Sequence, residues 1–181
     1  PVSCTPASGS VLPLGTTPVT CTSVDSRGNI ASGTFTASVV DTTGPALTLT
    51  DVTVEAQGPG GATVPLGATA TDLVDGARPV TCVPAAGSTF GLGATTVTCT
   101  STDTRSNTSS GTLTVTVADT TPPSITVTNQ RLEATSGAGA VATFAPTATD
   151  LVSGSRPVTC DRASGTGFAL GETTVTCTAT D

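Results

Sequence analysis

The sequence contains no histidine, lysine, tyrosine, tryptophan or methionine, and its only aromatic residues are four phenylalanines. Because those bases are absent, a general base would have to be a carboxylate. No serine or threonine has a basic partner that could activate it as a nucleophile. The carboxylates Glu55 and Glu133, like Asp72 and Asp150, recur at equivalent positions of a repeat, which suits a structural role. The sequence therefore predicts no catalytic residue and a protein that is not an enzyme.

Positive charge is also scarce, because six arginines oppose 13 aspartates and glutamates and leave a net charge of −7. Nucleic-acid binding needs a basic surface, so this balance predicts no nucleic-acid partner. No apolar stretch approaches the roughly 20 residues of a membrane-spanning helix, and we expect no membrane span in this segment. An acidic, soluble surface suits a protein outside the cell.

The six cysteines mark an internal repeat with a 78-residue period. They form three pairs with the same spacing inside each pair and the same interval from one pair to the next: Cys4 and Cys21, Cys82 and Cys99, Cys160 and Cys177. Tandem copies of a small domain without reactive residues typically build length or present many equal surfaces. We expect residues 1–43 to be the C-terminal part of a repeat, 44–121 a complete repeat, and 122–181 the N-terminal and middle part of another.

The boundaries of these domains are marked by Asp41–Pro45 and Asp119–Pro123, which both read Asp-Thr-Thr followed by proline within two residues. Proline fixes φ and removes a hydrogen-bond donor, so it ends a strand and stiffens the passage to the next domain. The linkers are short, and we expect neighbouring repeats of the same chain to be the first partners of each repeat.

Alternation of apolar residues with threonine dominates the chain and predicts an all-β protein of short, half-buried strands. In Val97–Thr100 and Thr112–Val117 the period is strictly two. Cys82 shares a face with Val80, and Cys99 shares a face with Val97, so both cysteines are expected to point into the core. The loop between them is long enough for an antiparallel return, which predicts a disulfide Cys82–Cys99 and, by the repeat, Cys4–Cys21 and Cys160–Cys177.

Paired cysteines at constant spacing indicate an oxidising compartment, and the Cys-x-x-Cys or Cys/His spacing of a metal site is absent. We therefore expect a secreted or cell-surface protein. A core built on valine, leucine and alanine is thin for a domain below about 80 residues, and one disulfide per repeat would compensate for it.

The repeated signature is now explicit: Arg78–Cys82, then Gly87–Gly93, then Thr95–Asp103. It resembles the hyalin repeat (HYR) domain, an extracellular module, over essentially the whole chain. The resemblance implies tandem immunoglobulin-like or fibronectin-like β-sandwich repeats and a role in cell adhesion or extracellular scaffolding, without naming a ligand. Many members carry a third cysteine before the final strand, where this chain has Gly33 and Gly111.

The residues raise two further kinds of site, a calcium site and a glycosylation site. Calcium prefers oxygen ligands, and several aspartates lie at linkers or beside turns: Asp25, Asp41, Asp72, Asp75, Asp103 and Asp119. No dense Asp-x-Asp-x-Asp loop is present, so we favour turn formation by these aspartates and expect no cofactor, with calcium as the alternative. Asn107 begins the only Asn-x-Ser/Thr acceptor pattern for glycosylation.

The favoured function is a structural segment of an extracellular or cell-surface fibre or stalk built from tandem, disulfide-stapled sandwich repeats. The alternative is an adhesin module that binds a receptor or matrix component, although the chain lacks the tyrosine and tryptophan of a sugar platform. A further alternative is a filament of identical chains: if Asp181 were a natural end, an incoming strand would complete the last repeat by β-augmentation. No receptor is indicated.

Overall fold

A computed structural model describes residues 1–181 and contains nineteen β-strands and no helix, which confirms the all-β prediction. The strands are β1 Val2–Thr5, β2 Gly15–Val24, β3 Ile30–Val39, β4 Ala46–Leu49, β5 Val52–Glu55, β6 Ala62–Thr63, β7 Ala68–Asp72, β8 Gly76–Arg78, β9 Val80–Val83, β10 Thr89–Phe90, β11 Gly93–Thr102, β12 Thr108–Ala118, β13 Ser124–Thr126, β14 Ala140–Ala142, β15 Thr147–Asp150, β16 Gly154–Arg156, β17 Thr159–Cys160, β18 Thr166–Phe168 and β19 Cys177–Thr178.

The chain forms two compact units, and neither is a continuous stretch of sequence. Unit 1 comprises Pro1–Thr48, Thr69–Val80 and Thr100–Ser110. Unit 2 comprises Leu49–Ala68, Thr81–Cys99 and Gly111–Asp181. The predicted boundaries after residues 43 and 121 follow the sequence repeat, and they stay a prediction.

Unit 1 contains a three-stranded antiparallel sheet in the order β1-β2-β3. Strand β2 pairs with β3 along its whole length, from Gly15 opposite Val39 to Val24 opposite Ile30. The loop that joins them is closed by the backbone N–H of Asp25, which donates to the carbonyl oxygen of Asn29 at 3.0 Å. Gly28 in this loop has a φ of +84°, a value that glycine adopts without strain.

Unit 1 also holds the hairpin of β7 and β8, in which Asp72 lies opposite Gly76 and Ala70 opposite Arg78. The three residues between the strands form a tight turn, and Gly76 leaves it with a φ of +73°. The hairpin places Asp72 at the end of one strand and Asp75 immediately before the next. This turn therefore brings two carboxylates of the candidate site close together.

The sheet β5-β12-β11-β9 supplies five of the eleven buried apolar residues of unit 2. Strand β5 runs parallel to β12, with Val52 opposite Val115 and Glu55 opposite Ala118. The apolar positions of the period-two pattern are buried: Val97, Cys99, Leu113, Val115 and Val117. Burial of branched aliphatic side chains stabilises by about 1.5–3 kcal/mol each, so the alternation seen in the sequence accounts for this core.

The later part of unit 2 contains the same small elements one repeat further along the chain. Strands β15 and β16 pair as β7 and β8 do, with Asp150 opposite Gly154, and β14 pairs with β18 as β6 pairs with β10. Residues 130–133, equivalent to β5, are not in a strand, and the counterpart of β12 one repeat later would follow Asp181. Strand β5 is held by its ladder with β12, and no strand among residues 1–181 pairs with 130–133.

Candidate functional site

Three disulfides join the six cysteines in the predicted pairs: Cys4–Cys21, Cys82–Cys99 and Cys160–Cys177. In each pair the two Cα atoms are 4.0 Å apart, and Cys4 lies directly opposite Cys21 in the ladder of β1 and β2. Cys99 is fully buried. No cysteine is free, so the chain offers no thiolate nucleophile.

The most concentrated group of charged side chains lies in unit 1 and consists of Asp41, Asp72, Asp75 and Asp103, here called the first acidic cluster. One carboxylate oxygen of each residue lies within 4.8 Å of one from every other. Asp41 follows strand β3, Asp72 ends β7, and Asp103 follows β11. The strand ends thus bring together four carboxylates from three segments that are far apart in the sequence.

Hydrogen bonds fix the orientation of two of these carboxylates, one within its own turn and one from a distant loop. Oδ1 of Asp72 accepts hydrogen bonds from the backbone N–H groups of Val74 and Asp75, both at 2.8 Å. Oδ2 of Asp75 accepts from the backbone N–H of Thr104 at 2.7 Å and from its hydroxyl at 2.6 Å. The Asp72 bonds are the turn-forming contacts that aspartate makes at strand ends, whereas the Asp75 bonds join the β7–β8 turn to the loop after β11.

Asp103 is held by the loop that follows it. Its Oδ1 accepts from the backbone N–H groups of Arg105 and Asn107, both at 2.8 Å, and its Oδ2 accepts from Nδ2 of Asn107 at 2.7 Å. Burial raises the pKa of Asp103, but the hydrogen bonds from Asn107 and Arg105 outweigh it and leave the pKa below the ordinary value. Hydrogen bonds from Thr104 likewise lower the pKa of Asp75.

The first acidic cluster is buried and short of positive charge. Only 4% of the Asp41 side chain is exposed, and the residue exposures of Asp72 and Asp103 are 4% and 5%. Oδ2 of Asp41 is buried without a hydrogen-bond partner, and its ion pair with a guanidinium nitrogen of Arg105 spans 3.8 Å. Arg78 also acts electrostatically on Asp75, so two arginines stand against four carboxylates and only Arg105 forms an ion pair with one of them.

Unit 2 contains an equivalent group, Asp119, Asp150 and Asp181, here called the second acidic cluster, whose oxygens also lie within 4.8 Å of one another. Its members are the counterparts, one repeat later, of Asp41, Asp72 and Asp103. Asp150 repeats the turn contacts of Asp72, since its Oδ1 accepts from the N–H groups of Val152 at 2.8 Å and Ser153 at 2.6 Å. Ser153 stands at the position equivalent to Asp75.

Asp119 differs electrostatically from the other aspartates. Burial raises its pKa, and the negative charges of Asp150, Asp181 and Glu55 raise it further. Its Oδ1 is buried without a hydrogen-bond partner, as is Oδ2 of its equivalent, Asp41. Both acidic clusters therefore share one uncompensated carboxylate oxygen at the same position of the repeat.

The structure separates residues that looked alike in the sequence. Asp25 makes the same loop contacts as Asp103: its Oδ1 accepts from the N–H groups of Arg27 and Asn29 at 2.8 and 2.9 Å. Asp25 is exposed and belongs to neither acidic cluster. Glu55 serves a structural contact, because both of its oxygens accept hydrogen bonds from Thr120 and Thr121.

The amide of Asn107 is already engaged in hydrogen bonds. Its Nδ2 donates to Oδ2 of Asp103 and to the backbone oxygen of Asp41 at 3.1 Å. A glycan on this nitrogen would replace one of the two donated hydrogens, so modification would compete with the loop structure. Glycosylation at Asn107 stays a prediction.

The sequence places aspartates at linkers and turns but does not show that their carboxylates lie close together in space. A signal was available: the aspartates at positions 41, 72 and 103 each recur one repeat later, at positions 119, 150 and 181. The turn contacts that sequence analysis favoured are present at Asp72 and Asp103. They coexist with the cluster because a carboxylate has two oxygens and about four acceptor positions.

The sequence model of the HYR domain family matches residues 40–117 and 118–181. The chain belongs to the HYR domain family. Hyalin from Lytechinus variegatus is 38% identical over 186 residues, and hyalin from Strongylocentrotus purpuratus is 39% identical over 187. Each match covers 96% of this chain but only 35% and 16% of the two relatives, so the chain spans a minor part of their length.

Two solved structures show a distant likeness. Extracellular cadherin domains 1–4 of protocadherin gamma B7 match with a TM-score of 0.36 at 18% identity, covering 92% of this chain and 49% of theirs. PcdhgB3 EC1-4 matches with a TM-score of 0.38 at 15% identity, covering 92% and 48%. These values are too low to carry an argument about function.

Family membership and three disulfides establish tandem HYR repeats in an extracellular protein and confirm the predicted family and location. The structure contains no helix that is long and apolar enough to cross a membrane. The family accounts for the repeats and the compartment, whereas the role of this segment is a separate question.

Proposed function

We propose that this chain is a structural segment of an extracellular or cell-surface fibre or stalk, in which tandem HYR repeats provide length. The observation that carries the proposal is the recurrence of the same local structures in successive repeats. The hairpin of β7 and β8 recurs as that of β15 and β16, and the disulfide between Cys82 and Cys99 recurs between Cys160 and Cys177. Repetition of whole domains is how solenoid and array proteins gain length.

The chemistry of the surface supports a structural role. Every cysteine is in a disulfide, the sequence has no histidine or lysine, and the conspicuous carboxylates make turns or lie in the acidic clusters. We expect no catalytic activity. The partners of each repeat are then its neighbours in the chain and, in a bundle, identical chains.

The proposal is tested by electron microscopy of the native assembly together with the mass of its denatured chain. We expect rods with a repeat of about 40 Å per domain, formed by chains much longer than the 181 residues of this segment. Rods built from chains no longer than this segment would contradict a covalent fibre and favour strand complementation between copies. Short isolated particles would contradict the fibre and leave an adhesin module as the better account.

A further inference from the structure

We propose that the first and second acidic clusters are calcium sites, each of which binds one ion through its aspartate carboxylates. The ligands would be Asp41, Asp72, Asp75 and Asp103 in unit 1, and Asp119, Asp150 and Asp181 in unit 2. This site assignment goes beyond the structural role proposed above and does not depend on it. It rests on ligand chemistry, on an uncompensated buried oxygen and on repetition.

The ligand set suits calcium. Every candidate ligand atom is a carboxylate oxygen, and hard oxygen donors are what Ca²⁺ selects. Two oxygens on opposite sides of a Ca²⁺ ion, each at about 2.4 Å, are about 4.8 Å apart, and the carboxylate oxygens of each cluster fit within that limit. Mg²⁺ needs oxygens at about 2.0–2.1 Å in strict octahedral geometry, and it is the poorer match to a set contributed by several separate loops.

The charge of the first acidic cluster calls for a cation. Four carboxylates face two guanidiniums, those of Arg105 and Arg78, which leaves a formal excess of two negative charges around largely buried groups. Burying charges without a counter-charge is costly. A bound divalent ion would remove most of that cost and would act where the carboxylates converge.

Asp41 supplies an observation that is independent of the clustering. Its side chain is almost wholly buried, with only 4% exposed. Its Oδ1 accepts from the backbone N–H of Thr43 at 3.3 Å, whereas Oδ2 has no hydrogen-bond partner. The guanidinium of Arg105 lies 3.8 Å from Oδ2, beyond hydrogen-bond distance. A buried carboxylate oxygen without a donor is the group that a cation would satisfy.

Turn formation alone does not account for these residues. Asp25 makes the same loop as Asp103 and is exposed, alone and fully satisfied by the loop. The unpartnered oxygen recurs at Asp119, and the crowding of carboxylates recurs with it. The same uncompensated arrangement in two copies of the repeat is the pattern of a retained site.

A bound ion would connect parts of the chain that the sequence repeat assigns to successive domains. Asp41 precedes the predicted boundary at residue 43, whereas Asp72, Asp75 and Asp103 belong to the following repeat, and all four lie in unit 1. In unit 2, Asp119 and Asp150 have the same relation to the boundary at residue 121. Calcium would therefore hold the Asp-Thr-Thr segment of each boundary to the repeat that follows it.

The direct test is calorimetric titration of the chelator-stripped chain with CaCl₂, and in parallel with MgCl₂, at neutral pH. We expect two Ca²⁺ ions per chain with dissociation constants on the order of 10⁻⁴–10⁻³ M, the range of extracellular calcium modules. Mg²⁺ should bind more weakly at both sites. No saturable binding of Ca²⁺ up to about 10 mM, or equal binding of Mg²⁺, would overturn the proposal.

A matched pair of variants locates the first site. Asp103→Asn removes a candidate ligand, whereas Asp25→Asn makes the same change in the equivalent loop outside the clusters. We expect Asp103→Asn to bind one Ca²⁺ per chain and Asp25→Asn to keep two. Equal stoichiometry for the two variants would overturn the assignment, and circular dichroism checks that both retain strand structure.

A residue exchange between the two copies removes one carboxylate from the first site and adds one to the second. Asp75→Ser gives the first site the residue of the second, and Ser153→Asp gives the second site the residue of the first. We expect Asp75→Ser to lower the Ca²⁺ affinity of the first site and Ser153→Asp to raise that of the second. Each change should be roughly tenfold, because one carboxylate near a divalent ion is lost or gained. Unchanged affinity in both variants would overturn the proposal whether or not Asp103→Asn folds.

These measurements are separable from the test of the fibre. A chain that binds two calcium ions but comes from isolated particles would keep this inference and contradict the proposed function. A long fibre whose repeats bind no calcium would support the proposed function and contradict this inference.

Discussion

At the scale of single residues, two loops of similar sequence and the same hydrogen bonds place their aspartates in different chemical surroundings. Asp25 and Asp103 make the same loop, with an asparagine four residues on that binds the carboxylate through Nδ2. Only Asp103 is buried among other carboxylates. The difference comes from neighbours that are distant in sequence, so no reading of the loop itself could have assigned the two roles.

Asp25 gives a pH dependence that the loop alone determines. Hydrogen bonds from the Asn29 side chain, then from the N–H groups of Asn29 and Arg27, lower the pKa of Asp25. A lowered pKa contributes stability that is present above the ordinary value of 3.8 and lost as the pH falls through the folded-state value. We expect Asp25→Asn to be slightly less stable than the wild type at pH 7 and equally stable once the wild-type carboxyl is protonated.

Urea midpoints at pH 7 and at about pH 2 measure this difference. Glu172→Gln, which removes an exposed carboxylate elsewhere, serves as the matched control and should show no comparable change. A gap between Asp25→Asn and the wild type that persists unchanged in acid would contradict the argument.

Gly61 shows a constraint of backbone and space at one residue. Its φ is +98°, and a Cβ atom here would overlap the backbone carbonyl oxygen of Phe90, where β6 pairs with β10. We expect Gly61→Ala to lower the free energy of unfolding by about 3 kcal/mol, through strain at positive φ and displacement of that strand pair. Denaturation in urea, followed by circular dichroism, measures the loss.

Gly60→Ala is the control for this prediction. A Cβ atom at Gly60 meets nothing within 4 Å, and its φ lies outside the left-handed region. We expect a change of less than about 1 kcal/mol, because only the entropy of the unfolded chain is altered. Similar losses for Gly60→Ala and Gly61→Ala would show that the contact with Phe90 is not what requires glycine.

At the scale of strands and sheets, alternation predicts which residues face the core but not which strands pair. The period-two runs in β11 and β12 bury Val97, Leu113 and Val115 as expected. Residues 130–133 are equivalent to β5 but are not in a strand, and the counterpart of β12 would follow Asp181. Strand β5 exists because β12 pairs with it, and a hydrogen-bonded ladder is a property of two segments, which a pattern within one segment cannot express.

The disulfide between β9 and β11 is the element-scale feature with the clearest energetic consequence. Closing a loop of 17 residues restricts the unfolded chain and stabilises the folded one by roughly 3 kcal/mol in the chain-entropy estimate. We expect the double variant Cys82→Ala, Cys99→Ala to lose about that much stability. Its urea midpoint under non-reducing conditions provides the measurement.

The control is a variant that keeps the disulfide and shortens an exposed side chain on the same strand, Val83→Ala. Its midpoint should stay close to that of the wild type. If the cysteine variant unfolded at the wild-type urea concentration, the disulfide would be dispensable for this repeat.

At the scale of the whole molecule, the acidic clusters account for much of the charge. Seven of the 13 aspartates and glutamates belong to them. Two bound calcium ions would change the formal net charge from −7 to −3. Because excess charge of one sign opposes compaction, calcium binding is expected to favour both the folded units and the approach of identical chains.

The sequence alone determined the all-β class, the 78-residue repeat, the HYR resemblance, the cysteine pairs and the extracellular setting. These depend on local alternation, on the spacing of neighbouring cysteines and on composition, which are all visible along one dimension. Only the tertiary structure decided that Asp41 meets Asp72, Asp75 and Asp103, while Asp25 stays apart. That convergence depends on strand pairing and loop closure between distant segments, and a one-dimensional pattern carries no record of which strand ends come together.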